Sequence, residues 1–222
     1  MSDLRNRKCI QVLIVDDHAL VREGLRSLLT KQVDMDVCGE ADSAAQALAV
    51  LERTSPHVAI VDLSLREGNG IQLIKDIKSR HSEVRVVVSS MHEETIYAER
   101  ALQAGAMAYV HKEEQSGRIV EAIRSVMEDR IFVGERVSNR LLARVARGSG
   151  AMERSAVELL SDRELQVFEM IGKGLATRKI AELLHLSPKT VDTYRQNIRD
   201  KLSLEDAAAL NHFAAQWTLD HQ

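Results

Sequence analysis

Four short apolar runs each end in polar residues. Val12-Leu13-Ile14-Val15 ends at Asp16-Asp17, and Val58-Ala59-Ile60-Val61 ends at Asp62. Val84-Arg85-Val86-Val87-Val88 leads into Ser89-Ser90, and Met107-Ala108-Tyr109-Val110 leads to His111-Lys112. Runs of this length and composition predict buried parallel strands. In an open parallel sheet the C-terminal strand ends converge on one edge, where ligands bind. Three carboxylates, a hydroxyl and an ammonium on that edge suit a divalent cation and a phosphoryl group. Mg²⁺ takes oxygen ligands and keeps several waters. Asp17 and Asp62 are the natural direct ligands, and Asp16 acts through water. A carboxylate is also a nucleophile toward phosphorus, giving an aspartyl-phosphate. A cation beside it offsets charge on the transferring oxygens. Lys112 supplies a second positive charge, and Ser90 can donate to a phosphate oxygen. Taken singly these signals are weak, since a strand-end Asp is more often a turn or capping residue.

The intervening segments must place those ends side by side. Leu20, Val21, Leu25, Leu28 and Leu29 repeat at helical spacing, predicting a helix near 18–30. Met35 to Gly39 reads as a strand, and Ser43 caps an Ala-rich helix to Leu51. Gly68-Asn69-Gly70 breaks the chain before a helix marked by Ile71, Leu73, Ile74 and Ile77. A helix over 93–104 closes at Gly105, and Ile119, Val120, Ile123, Val126 and Met127 mark a fifth. Five βα units predict a parallel sheet with helices on both faces.

The 222 residues allow two small domains. No apolar run is long enough to span a bilayer, and Met1 to Lys8 is too polar for a signal peptide. The expectation is a cytoplasmic protein without a membrane partner. Cys9 and Cys38 have no metal-ligand spacing and read as small apolar residues. Residues 1–117 carry 14 basic and 18 acidic side chains, net −4. Residues 118–154 carry 8 and 5, net +3, and residues 155–222 carry 8 and 10, net −2. No domain is basic enough to announce nucleic-acid binding by charge alone.

After about residue 128 strand signals fade. Arg140, Arg144, Arg147 and Arg154 stand among Gly148, Ser149 and Gly150, predicting a partly helical linker over 129–157. From 158 to 222 the pattern is helical. Ser161-Asp162-Arg163-Glu164 is a capping box. A second helix runs from Ala176 to Leu184. His185-Leu186-Ser187 is a turn, with Ser187 as N-cap and Pro188 at the first position of a third helix. Two helices joined by a tight turn suggest a helix-turn-helix.

Residues 10–127 resemble a response-regulator receiver domain. The carrying motifs are Val15-Asp16-Asp17-His18, Val61-Asp62-Leu63, Val88-Ser89-Ser90-Met91-His92, Ala104-Gly105-Ala106 and Tyr109-Val110-His111-Lys112. The resemblance implies a flavodoxin-like doubly wound α/β fold over 1–128, with five parallel strands in the order 2-1-3-4-5. It implies that Asp62 accepts phosphate from a sensor histidine kinase. Asp16, Asp17, Asp62 and the backbone carbonyl of Ser64 would hold Mg²⁺. Ser90 and Tyr109 would be the switch pair, and Lys112 would contact the phosphate. Two departures stand out. The family usually has Pro where Arg66 stands, and often Pro or Asp where Glu113 follows Lys112.

Residues 161–210 resemble the LuxR/NarL/FixJ-type helix-turn-helix domain. The carrying residues are Ser161-Asp162-Arg163-Glu164, Gly174-Leu175, Lys179-Ile180-Ala181, Leu184, Leu186-Ser187, Thr190-Val191, Asn197-Ile198 and Lys201-Leu202. Helix 188–202 is then the recognition helix, with four basic and two acidic side chains, net +2. Base contacts are expected from Asp192, Thr193 and Gln196. Lys179, Lys189, Thr190, Arg195, Arg199 and Lys201 complete the expected DNA-binding set, with Lys189 and Arg195 on phosphate. Asp192 replaces a Lys or His common in the family; it can accept from a cytosine amino group but not bond guanine acceptors. The last helix resembles the family's dimerisation helix, with Ala207, Leu210, Phe213, Ala214 and Trp217 as an apolar stripe, part of which is expected to pack within the domain itself. The expectation is a phosphorylation-dependent, sequence-specific transcriptional regulator, homodimeric on phosphorylation or DNA binding, with RNA polymerase as a candidate partner. One rival is a phosphorylation-independent DNA binder. Another is an aspartate-nucleophile phosphatase, disfavoured because Ser64 stands where such enzymes need a second acid.

Overall fold

The computed structural model describes residues 9–65, 69–92, 94–114, 117–147 and 156–220. The chain divides into two compact units, Met1–Ala143 and Arg144–Gln222.

In the first unit, strands β1 (Ile10–Val15), β2 (Met35–Ala41), β3 (Val58–Val61), β4 (Arg85–Ser90) and β5 (Ala108–His111) form one sheet. All are parallel, in the order β2-β1-β3-β4-β5. From β1 the chain winds first to β2 on one side and then to β3 on the other. The resulting switch point between β1 and β3 opens a crevice at their carboxyl ends. The register is set there: Val15 pairs with Val61, and Ser90 with His111. Main-chain bonds continue past the strands. Asp62 N–H donates to the Val15 carbonyl at 2.9 Å, and Lys112 N–H to that of Ser90 at 2.9 Å.

Helices α1 (Ala19–Leu29), α2 (Ala44–Thr54), α3 (Gly70–Arg80), α4 (Glu94–Ala104) and α5 (Gly117–Met127) cover the sheet. Val12, Ile14, Ile60 and Val87 form one core with Leu29 of α1 and Ile119, Ile123 and Val126 of α5. The uninterrupted apolar runs in β1 and β3 are buried on both faces, as parallel strands between helices require. Asn69 caps α3, its side chain accepting from the N–H groups of Ile71 and Gln72. Gly70 follows because a Cβ there would collide with the Asp62 carbonyl. Gly105 closes α4 with φ of 107°, in the left-handed region open to glycine. Ser43 stands at the N-cap of α2 without a side-chain cap bond.

The first unit runs past the expected boundary at 128. Phe132 adds to the edge of the sheet, donating its N–H to Met107 and accepting from Tyr109, each at 2.9 Å. The Arg118 guanidinium lies 4.5 Å from the Phe132 ring centroid. The Gly134 N–H donates to the Glu94 carboxylate of α4. Helix α6 (Glu135–Arg147) follows, with Val137 buried. Part of the expected linker therefore belongs to the first unit, through main-chain bonds that leave no composition signal. Of the departures noted in the sequence, Arg66 lies outside the described residues.

The second unit opens with a 3-10 turn, Ala156–Leu159, followed by α7 (Asp162–Gly172), α8 (Thr177–Leu183), α9 (Pro188–Leu202) and α10 (Ala207–Asp220). Both arms of the capping box form: Ser161 Oγ accepts from Glu164 N–H, and Glu164 accepts from Ser161 N–H at 2.7 Å. Ser187 caps α9 and Pro188 occupies its first turn, as expected. Leu165, Phe168, Ile180, Val191, Ile198, Leu210 and Ala214 are fully buried. Gly172 lets α10 approach α7, since a Cβ there would meet Thr218 Oγ1 and the Ala214 carbonyl.

Candidate functional site

The sheet edge gathers Asp16, Asp17, Asp62 and Lys112. Asp16 and Asp62 are almost wholly buried. The Lys112 ammonium bridges them, lying 2.7 Å from Asp16 Oδ2 and 2.7 Å from Asp62 Oδ2. Asp62 Oδ1 accepts from the Ser64 N–H at 3.1 Å. His18 joins the group: its N–H donates to Asp16 Oδ1 at 2.8 Å, and its Nδ1 lies 2.7 Å from Asp17 Oδ1. Ligand atoms of Asp16, Asp17, His18 and Asp62 all lie within 4.8 Å of one another.

Burial pushes the Asp62 carboxyl above the ordinary carboxylate range, and Asp16 adds to this. Lys112 pulls the other way but does not prevail. For Lys112, burial acts to lower the ammonium, but the Asp62 and Asp16 carboxylates outweigh it, and the group stays charged. One cation between two carboxylates leaves the edge short of positive charge. A hard divalent cation suits such carboxylate donors. The residues present therefore fit Mg²⁺, with Asp16, Asp17 and Asp62 as its holders.

The expected switch residues meet at His92. Ser90 is fully buried, and its Oγ accepts from the His92 N–H at 3.2 Å. Tyr109 is also buried, and its hydroxyl donates to the His92 carbonyl at 2.8 Å. The His92 ring stacks on Tyr97, centroids 4.3 Å apart, and its Nε2 lies 2.8 Å from Ser64 Oγ. Thus His92 links the loop after Asp62, the end of β4 and Tyr109. The motif Ser90-Met91-His92 contained this residue, but its linking position depends on distances between loops.

In the second unit, α9 presents Lys189, Asp192, Thr193 and Gln196 outward. Asp192 Oδ1 accepts from Thr177 Oγ1 at 3.4 Å. Other residues of the expected DNA-binding set have partners inside the unit. Thr190 N–H donates to Ser187 Oγ at 3.0 Å in the helix cap. Arg195 donates to Asn211 Oδ1 of α10 at 3.0 Å, and Arg199 donates to Gln196. Lys179 lies 3.3 Å from Glu182. The Lys201 ammonium lies 2.6 Å from Glu164 Oε2, tying α9 to the capping box of α7. The apolar stripe of α10 mostly faces inward. Leu210 and Ala214 are buried, and Phe213 and Trp217 pack on Phe168 with centroids 5.9 and 5.4 Å apart. Only Ala207 of that stripe is exposed, because the other four lie on the side of α10 that covers α7.

A 2-1-3-4-5 parallel sheet with an acidic edge, followed by a helix-turn-helix unit, defines a two-component response regulator that acts in transcription. Residues 12–124 match the response regulator receiver domain, and residues 158–214 match the bacterial regulatory proteins of the luxR family. The chain therefore belongs to the LuxR (NarL-type) family of two-component response regulators. It is 32% identical to the DNA-binding transcriptional activator DevR/DosR of Mycobacterium tuberculosis, over 93% of this chain and 94% of that protein. It is also 32% identical to the response regulator UvrY of Escherichia coli K12, over 92% and 93%. Among solved structures it resembles RcsB of Salmonella enterica serovar Typhimurium bound to promoter rprA in the presence of phosphomimetic BeF3-. That match has a TM-score of 0.63 and 26% identity, over 94% of this chain and 99% of that one. The relatives are transcriptional regulators rather than phosphatases. Among the described residues no helix is long and apolar enough to cross a membrane.

Proposed function

We propose that the chain is a phosphorylation-dependent, sequence-specific transcriptional regulator whose phosphoacceptor is Asp62. The carrying observation is the Lys112 ammonium held 2.7 Å from both Asp62 and Asp16, with Asp17 beside them. An Asp62 oxygen attacks the phosphorus of a phosphohistidine on a sensor kinase. An O–P bond forms and the P–N bond breaks, and the imidazole leaves neutral because its other ring nitrogen already carries a proton. The receiver thus supplies the groups for its own phosphotransfer, and water attack later returns Asp62 and inorganic phosphate. Asp16, Asp17, Asp62 and the Ser64 carbonyl would hold Mg²⁺, which when bound supplies positive charge opposite the transferring oxygens. Lys112 then turns from the carboxylates to a phosphoryl oxygen.

The new anion carries about −1.5 to −2 charge at pH 7. Ser90 turns its hydroxyl to that anion and releases the His92 N–H. Tyr109 holds the other end of His92, so the turn before α4 moves with the switch. The phosphoryl group biases two arrangements of this turn. A homodimer then places two α9 helices on half-sites about one helical turn apart. Lys189 contacts phosphate while Asp192, Thr193 and Gln196 face base edges. RNA polymerase is the candidate downstream partner, and the cytoplasm is the expected compartment. RcsB bound to promoter rprA in the presence of phosphomimetic BeF3- supports, by similarity, the pairing of a phosphorylated receiver with promoter binding.

The test is a phosphoryl donor, followed by mass spectrometry and genomic footprinting. The expected result is an adduct of about 80 Da (the mass of PO₃) on Asp62, absent in Asp62→Asn, with stronger footprints in the phosphorylated chain. No adduct, or footprints indifferent to Asp62→Asn, would leave a phosphorylation-independent DNA binder, and an adduct elsewhere would overturn Asp62 as the phosphoacceptor.

A further inference from the structure

Arg22 lies outside the acidic set, one turn into α1. Its side chain is only 18% exposed, and its Nη1 donates to the main-chain carbonyl of Asp16 at 2.7 Å. Its Nε faces Glu40 Oε2 of β2 at 3.4 Å. Glu40 is gripped from the other side by Arg26, whose Nε and Nη2 each lie 2.5 Å from Oε1. The Asp16 N–H donates to the Ala41 carbonyl, also of β2, at 3.1 Å. The Asp16 main chain is therefore fixed at both ends, its N–H by β2 and its carbonyl by α1.

We propose that Arg22 is a positioning residue for the metal-binding acids. Held by Glu40 and bonded to the Asp16 carbonyl, it fixes the turn from which Asp16 and Asp17 reach the cation. The inference rests on reading the acidic edge as a divalent-cation site. Asp16, Asp17 and Asp62 repel one another, so a loose turn would let them spread apart. A planar guanidinium can serve a carbonyl and a carboxylate together, which a lysine ammonium does poorly. An exposed ion pair contributes little by itself. Arg22 differs because it is mostly buried and its partner is the backbone of a site residue.

The test titrates Mg²⁺ into the full chain by calorimetry, comparing wild type, Arg22→Ala, Arg22→Lys and Glu40→Gln. Each protein is also melted with and without Mg²⁺. Partners that orient metal ligands typically affect affinity by about 10- to 100-fold. Arg22→Ala is expected to weaken Mg²⁺ binding by about tenfold or more, with Glu40→Gln affected less and Arg22→Lys recovering part of the loss. The rise in melting temperature on adding Mg²⁺ should shrink in the same order, an effect that general destabilisation does not produce. Mg²⁺ affinities of Arg22→Ala and Glu40→Gln within twofold of wild type overturn the proposal. If Arg22→Ala does not fold, Glu40→Gln alone decides. A folded wild type that binds no Mg²⁺ overturns the reading of the acidic edge as well.

Discussion

Ser90 and Tyr109 hold opposite ends of one residue: Ser90 Oγ accepts the His92 N–H at 3.2 Å, and the Tyr109 hydroxyl donates to the His92 carbonyl at 2.8 Å. The relation makes one turn the common partner of both side chains proposed as the switch. Tyr109→Phe removes the donor to that carbonyl and leaves the ring packed. A lost bond of this kind costs about 1 kcal/mol, to be read by denaturant unfolding. The gain in DNA affinity on adding beryllofluoride should shrink as well. An unchanged gain would place the coupling elsewhere.

Burial raises the Asp62 carboxyl, so the folded chain holds that proton more tightly than the unfolded chain. The stabilisation is complete below the unfolded carboxylate value of about 3.9 and is lost as pH rises through the raised value. At neutral pH without Mg²⁺, the buried charge therefore weakens the fold. Asp62→Asn should melt above wild type at pH 7, and the gap should close toward pH 4. Thermal melts across that range check the sign.

Glu164 behaves in the opposite way. Its burial acts to raise the carboxyl, but bonds from Lys201 and Ser161 outweigh it and hold the group below the ordinary range. Stability from Glu164 is present above its unfolded value of about 4.3 and is lost as pH falls through the lowered one. Glu164→Gln keeps an acceptor for the Ser161 N–H and loses the charge facing Lys201. The Lys201 side chain is 41% exposed, so solvent screens the pair. A loss of about 1 kcal/mol or less is expected at pH 7, fading under acid. An equal loss at both pH values would show that packing, not charge, is responsible.

Lys189 and Asp192 should fail differently on DNA. Lys189→Ala is expected to weaken binding to all sequences and reduce the salt slope by about 1. Asp192→Ala is expected to relax discrimination at one base pair, by about 1–3 kcal/mol. Binding to a panel of single-substitution operators at several salt concentrations separates the two. Loss of selectivity in Lys189→Ala would reverse the assignment.

At Gly172 an added methyl group meets Thr218 Oγ1 and the Ala214 carbonyl at the crossing of α7 and α10. Overpacking of this kind costs about 1–3 kcal/mol. Gly172→Ala should lower the unfolding transition of the second unit and leave phosphorylation of Asp62 intact. Circular dichroism melts together with the mass assay read both.

Local order is written in the sequence. Strand interiors such as Val58–Val61 are apolar because helices cover both faces, and the acids Asp16 and Asp62 mark where those strands stop. Ser161 with Glu164, and Ser187 with Pro188, announce helix starts because capping needs those groups at those spacings. What escaped the sequence depends on main-chain atoms or on how one helix is rotated against another. The Arg22 guanidinium bonds the Asp16 carbonyl, and Phe132 extends the sheet through its backbone. Every residue carries such backbone groups, so no residue type signals them. The α10 stripe was legible as apolar, but its partner was not, since only packing on Phe168 decides which way the helix turns. Likewise Lys201 reads as one more basic residue of α9 until the fold brings it 2.6 Å from Glu164, thirty-seven positions earlier. Sequence spacing thus determined the elements and the groups at their ends. Tertiary structure decided which backbone atoms, helix faces and distant charges those groups would meet, because these meetings arise only when the separate elements pack.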